Sequence, residues 1–130
     1  MGVSLHRDDS TQRLVLTATG VLGFGELERF LELVRDPGVL DYAVLWDMRD
    51  ILLGLSASDL IRIRNRVAAL DRGRPRQGPV ALLVHTDSAF AFASAYVVLA
   101  QAAGYRVQTF RSAEAADAWL DEVRVPGSPA

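Results

Sequence analysis

Three side chains of the types used in nucleophilic catalysis fall where an α/β chain would gather them. Asp47 stands in "AVLWDMRD", His85 ends "PVALLVH", and Ser88 follows in "TDSAF". In a Ser-His-Asp set the imidazole takes the hydroxyl proton while the carboxylate holds the ring. The three are expected to gather at the carboxyl edge of the sheet, the edge at which open α/β sheets bind ligands. The supporting parts are missing. No G-x-S-x-G elbow surrounds Ser88, and no glycine-rich oxyanion loop occurs. Asp87 and Ser88 are expected to cap a helix. Asp47, the strand-end acid, is expected to bond loop N–H groups or to pair with Arg49, because a buried carboxylate must be satisfied. Catalysis is thus the weakest functional reading, and no catalytic residue is assigned.

Other chemistry is excluded more firmly. The chain has 130 residues, no cysteine and only two histidines, His6 and His85. Disulfides, thiolate chemistry and a metal site are therefore not expected. All 14 basic residues are arginine. Without lysine there is no Walker loop, and "GVLGFGE" (20–26) reads as a turn into a helix. No cofactor is expected. The exclusive use of arginine reads as the mark of a GC-rich bacterial genome.

Two polar clusters remain. Ser56 and Ser58 precede an apolar helical stripe, and a phosphate there would meet free N–H groups at the helix start. The plainer reading is capping by Ser56 with Asp59 at the third helical position. Between 62 and 76 stand six arginines, Arg62, Arg64, Arg66, Arg72, Arg74 and Arg76, against one acid, Asp71. This basic patch fits an acidic partner. Yet Arg62 and Arg66 lie opposite the apolar stripe of their helix, no aromatic is interleaved, and the net charge is −2. A solvated face is the simpler account, and no nucleic-acid partner is expected.

The elements that would position these groups alternate. Strands are expected at 3–7, 13–20, 42–49, 79–85 and 105–110 from their alternating or continuous apolar runs. Helices are expected at 24–35, about 56–72, 88–103 and 112–123, the last capped by Ser112. The order β-β-α-β-α-β-α-β-α predicts a single α/β domain over 1–123 with a mainly parallel five-stranded sheet. Residues 124–130 read as a flexible tail.

"VLWDMRDI" followed by "LSASDL", and later "YRVQTFRSAEAADAWL", together resemble the STAS/SpoIIAA-like family, in particular its small stand-alone bacterial members. The resemblance spans roughly residues 10–122. It implies a domain that works by binding. Some members of that family are anti-sigma-factor antagonists switched by phosphorylation of a serine at the start of the second helix, and a related architecture occurs in CRAL-TRIO lipid carriers. Aligning Leu60 with the family's Asp-Ser-Ser-Gly-Leu pattern puts Ser58 at the phosphorylated serine and Asp47 at the preceding acid. Ser56, Ala57 and Asp59 depart from the pattern.

One stretch has a different character. Between Asp87 and Arg106 no residue is charged. It contains Ser88, Ser94, Gln101 and Gly104 and falls short of the roughly 20 predominantly apolar residues of a membrane span. Stepping 100° per residue gathers Phe92, Ala95, Tyr96, Leu99 and Ala103 on one side, expected to face the sheet. Phe90, Ser94, Val97 and Gln101 fall on the other. An uncharged outer face suits a contact with a second copy or another protein, cover by the same chain, or the wall of a small apolar ligand pocket. The expectation is a cytoplasmic, non-enzymatic binding domain, a homodimer through Phe90 and Val97, with a carrier of a small apolar or lipid-like ligand as the alternative.

Overall fold

The computed structural model describes residues 2–73 and 77–124. The described residues form nine elements: β1 (Gly2–Asp8), β2 (Arg13–Leu22), α1 (Phe24–Leu33), β3 (Ala43–Leu53), α2 (Ala57–Leu70), β4 (Val80–Leu83), α3 (Asp87–Ala102), β5 (Val107–Phe110) and α4 (Ala113–Arg124). The expected order holds throughout. The five strands lie side by side in the order β1-β2-β3-β4-β5. Only β1 is antiparallel, joined to β2 by the turn at 9–12, and every later pair is parallel. Of the expected tail, 125–130 lies outside the described residues, as do Arg74 and Arg76 of the basic patch.

Strand alternation divides the interior into two unequal cores. Leu14, Leu16, Val44, Trp46, Val80, Leu82 and Val107 face one way, toward α1, α2 and α3. Ala43, Leu45, Ala81 and Leu83 face the other, where α4 seats Ala116 and Leu120 on them. All four residues of β4 are buried, as a central parallel strand covered on both faces requires.

β2 and β3 run further than their alternation predicts. The register shifts after the Thr17–Asp47 pair, so that Thr19 meets Asp50 and β3 carries one extra residue. The extra residue lets Ile51 turn back to the core side after Met48. The two strands then continue as a pair beyond the end of β4, exposing Val21 and Leu52. At the opposite end Gly78 passes very close to β3. A Cβ there would sit 2.5 Å from the carbonyl oxygens of both Asp41 and Tyr42, so only glycine fits.

The small core gives a direct test of how α4 is held. Leu120 is fully buried, and Leu120→Ala removes the larger of its two anchors. The expected cost is about 2–5 kcal/mol in a chemical denaturation series. A loss under about 0.5 kcal/mol would contradict this packing.

Candidate functional site: an apolar cavity beneath the uncharged helix

The three side chains of the hydrolytic reading do not assemble. Asp47 is held by Arg49, whose Nε and Nη2 donate to its two oxygens at 3.0 and 2.8 Å. The Arg49 guanidinium holds the Asp47 carboxyl below its ordinary range. His85 and Ser88 are exposed, and no hydrogen bond joins His85 to Asp47 or Ser88 among the described residues. The helix cap falls one residue earlier than expected. Thr86 Oγ1 accepts from the Ala89 N–H at 3.2 Å. Asp87 instead pairs with Arg111, whose guanidinium also lies 5.1 Å over the Phe90 ring.

The serine pair behaves largely as capping requires. The Asp59 carboxylate accepts from the Ser56 backbone N–H at 2.8 Å, which holds its pKa down. Ser58 is the second residue of α2, exposed, with its Oγ 2.9 Å from that of Ser56. The arginines that follow are mostly engaged. Arg62 bonds Asp59 and stacks 3.9 Å over Phe24, and Arg66 pairs with Glu28 and Glu32 of α1. Arg72 takes a left-handed conformation at the exposed end of α2. Of the described arginines of the patch, Arg66 makes the ionic link to α1 and Arg62 stacks on its Phe24.

The uncharged helix is turned differently from the expectation. Ala89, Ala93, Val97 and Ala100 face the core, with Phe92 and Tyr96 half-buried beside them. Val97 is therefore a core residue, 6% exposed, and not part of an outer face. Its neighbour Val98 is 67% exposed, and the outward stripe is Ala91, Ala95, Val98 and Ala102. Ala95 and Ala103, assigned to the sheet side, are exposed. Of the remaining outer residues, Phe90 lies at the rim, Ser94 is half-buried, and Gln101 donates its amide to the Val107 carbonyl at 3.0 Å. The misorientation has a plain cause. After Asp87 in its first turn no residue of this helix is charged, so no polar stripe marks the outside, and an apolar periodicity with nothing to contrast against has no phase.

Three of the four inward residues are alanines, and their small size has a consequence. Leucines there would fill the gap between helix and sheet, whereas methyl groups leave it open. The result is a cavity of about 80 Å³ over the sheet, walled by Trp46 and Leu82 below and by Ala89, Phe92, Ala93 and Tyr96 above. Its lining takes in half-buried Leu55 and exposed Arg106, so it reaches the surface. The wall is overwhelmingly apolar, as expected of a site for an apolar guest.

A buried ion pair borders the cavity. Arg35 Nε and Nη2 donate to the two Asp71 oxygens at 2.8 and 3.1 Å, and its Nη1 donates to the Leu31 carbonyl at 3.0 Å. The Tyr105 hydroxyl donates to the same carboxylate. The side chains of Arg35 and Asp71 are almost fully buried. The cluster links the segment after α1, the end of α2 and the approach to β5. Sequence reasoning missed it, along with Trp46 and Tyr96 as cavity residues. One signal was present: Asp71 closes a helix at its C-terminal end, where the dipole disfavours an acid, so a compensating partner was to be expected.

No group of three or more potential metal-ligating side chains occurs among the described residues, and no helix among them is long and apolar enough to cross a membrane.

A mostly parallel five-stranded sheet with three helices on one face and one on the other defines a SpoIIAA-like, STAS-like α/β fold. The chain matches the crystal structure of an uncharacterized protein of the DUF3478 family from Shewanella loihica PV-4, itself described as having a SpoIIAA-like fold. That match has a TM-score of 0.55 and 17% identity and covers 92% of both chains. No family model matches the sequence, and no curated protein does.

Two outcomes follow from the buried groups. Asp71→Ala leaves the Arg35 guanidinium buried without its counter-charge, and about 3–5 kcal/mol of stability is expected to go in denaturant unfolding. The second concerns alkaline pH. Burial pushes the Tyr96 phenol up to about 12, and burial together with its bond to Asp71 pushes Tyr105 up as well. Unfolded tyrosines lose their protons near pH 10, so above that the unfolded state binds fewer protons and stability falls as pH rises. No lysine titrates in that window. Stability is expected to be flat just below pH 10 and to decline above it, less steeply in Tyr96→Phe. Equal slopes in the two proteins would contradict the burial of Tyr96.

Proposed function

We propose that this chain is a non-enzymatic STAS-like binding domain that holds a small apolar ligand between α3 and the sheet. The observation that carries this reading is the cavity itself, left by Ala89 and Ala93 over Trp46 and Leu82. A core of this size ordinarily closes such gaps, because each unfilled methylene of space costs stability. Retaining alanine along the inward face of α3 keeps room for a guest. The volume favours a compact molecule: dry cavities of about 150 Å³ admit benzene, and this one is smaller. A longer, lipid-like chain requires α3 or the segment ending at Leu55 to move.

The test is native mass spectrometry on protein isolated from its own cells, together with Ala93→Leu. A small apolar molecule is expected to copurify with the wild type and to be lost from Ala93→Leu, which fills the cavity with the fold retained. Empty wild-type protein that also takes up no small hydrocarbon in vitro would refute the reading.

A second reading is favoured by a separate observation. The outward stripe of α3, Ala91, Ala95, Val98 and Ala102, is exposed and carries no charge. A face without charge, with Val98 exposed on it, suits the core of a protein contact, and regulation through a partner or a second copy would use this face. Ser58 would then be the modifiable position at the start of α2, although a phosphate there meets the adjacent Asp59 carboxylate and its repulsion. Light scattering separates the cases. If the face pairs two copies, the wild type is a dimer and Val98→Arg is a monomer. A wild type that stays monomeric at high concentration excludes self-association.

A further inference from the structure

The cavity wall is apolar, but it is not chemically blank, and the polar groups on it have one thing in common. Tyr96 lines the cavity and its hydroxyl makes no hydrogen bond among the described residues. Trp46 lies beneath, its ring fixed edge-on against Phe30 with centroids 6.3 Å apart. Its Nε1–H is buried and has no acceptor. Gln77, at the same wall, has a buried amide nitrogen that is likewise unpartnered. Each of these groups has a hydrogen to give. The carboxylate nearest the site does not answer them, since Asp71 is fully engaged by Arg35 and Tyr105. A buried donor left without an acceptor is costly, and the two on this wall, with the unbonded Tyr96 hydroxyl beside them, point to a ligand that brings the acceptor.

Resting on the ligand-binding reading above, we propose that the guest is a neutral apolar molecule bearing a carbonyl or ether oxygen, and that the Tyr96 hydroxyl is the donor that orients it. The neutrality follows from the ion pair. Among the described residues Arg35 is the cation on the buried part of the wall, and the Asp71 carboxylate beside it cancels its charge. A ligand carboxylate would gain no net positive field there and would lose its hydration on entering. A neutral oxygen has little hydration to lose and finds donors in place.

The test compares three small planar probes of near-identical size, acetone, isobutene and acetate, titrated into the wild type and Tyr96→Phe by NMR. The wild type is expected to bind the ketone about ten-fold more tightly than the hydrocarbon, the size of one hydrogen bond made in a dry site. Tyr96→Phe is expected to erase that preference and to bind the hydrocarbon as the wild type does. Unchanged hydrocarbon binding also certifies that the variant is folded. Equal affinity of the wild type for ketone and hydrocarbon would overturn the acceptor proposal and leave the cavity reading standing. A preference for the carboxylate would overturn its neutrality. If no probe binds the wild type, the cavity reading fails and this proposal fails with it.

Discussion

A salt bridge sealed from water sets the geometry of the helical layer. Arg35 and Asp71 meet bidentately where the segment after α1 approaches the end of α2, and Tyr105 adds a third link from the approach to β5. Two desolvated charges tolerate no separation, because either alone in that environment would be severely unstable. The ends of α1 and α2 are therefore pinned to each other and to the approach to β5 at this point. Elsewhere packing is governed by whatever side chains are present. Along the inward face of α3 those side chains are mostly alanine, and they do not fill the space over Trp46 and Leu82.

The same logic relates the two faces of α3. A helix with no charge after its first turn has an unusually free choice of orientation, and its rotation is set by contacts with its neighbours. The Gln101 amide bonded to the Val107 carbonyl and the Thr86 cap at the other end hold it in place. The inward stripe then frames the cavity and the outward stripe meets solvent. Cavity and exposed face are thus two consequences of one compositional choice, and a ligand that displaced α3 would alter the outer surface as well.

Much of the architecture was legible because the relevant signals are local. Period-two and continuous apolar runs mark the strands, Ser112 marks a helix start, and the order of elements dictates a mainly parallel sheet. The extension of β2 and β3 was not legible, since the extra residue in β3 disrupts the alternation at Arg49 and Asp50 on which strand reading depends. Val97 was placed on the wrong side because an uncharged helix offers no phase. The cavity lay beyond reach for another reason. Empty space is a property of several elements at once, and Ala89, Ala93, Trp46 and Leu82 are unremarkable apart. Asp71 was the residue whose position against the helix dipole hinted at a buried partner. The partner, Arg35, is 36 residues away in sequence, and no local pattern connects them.

The cavity itself can be observed directly, whatever its function. Xenon enters dry apolar cavities and is located unambiguously by its scattering. In crystals pressurised with xenon, the account predicts an atom between α3 and the sheet, against Leu82, Phe92 and Ala93, and none at that place in Ala93→Leu. A wild-type crystal with no xenon there, and with α3 lowered onto Trp46 and Leu82, would contradict it.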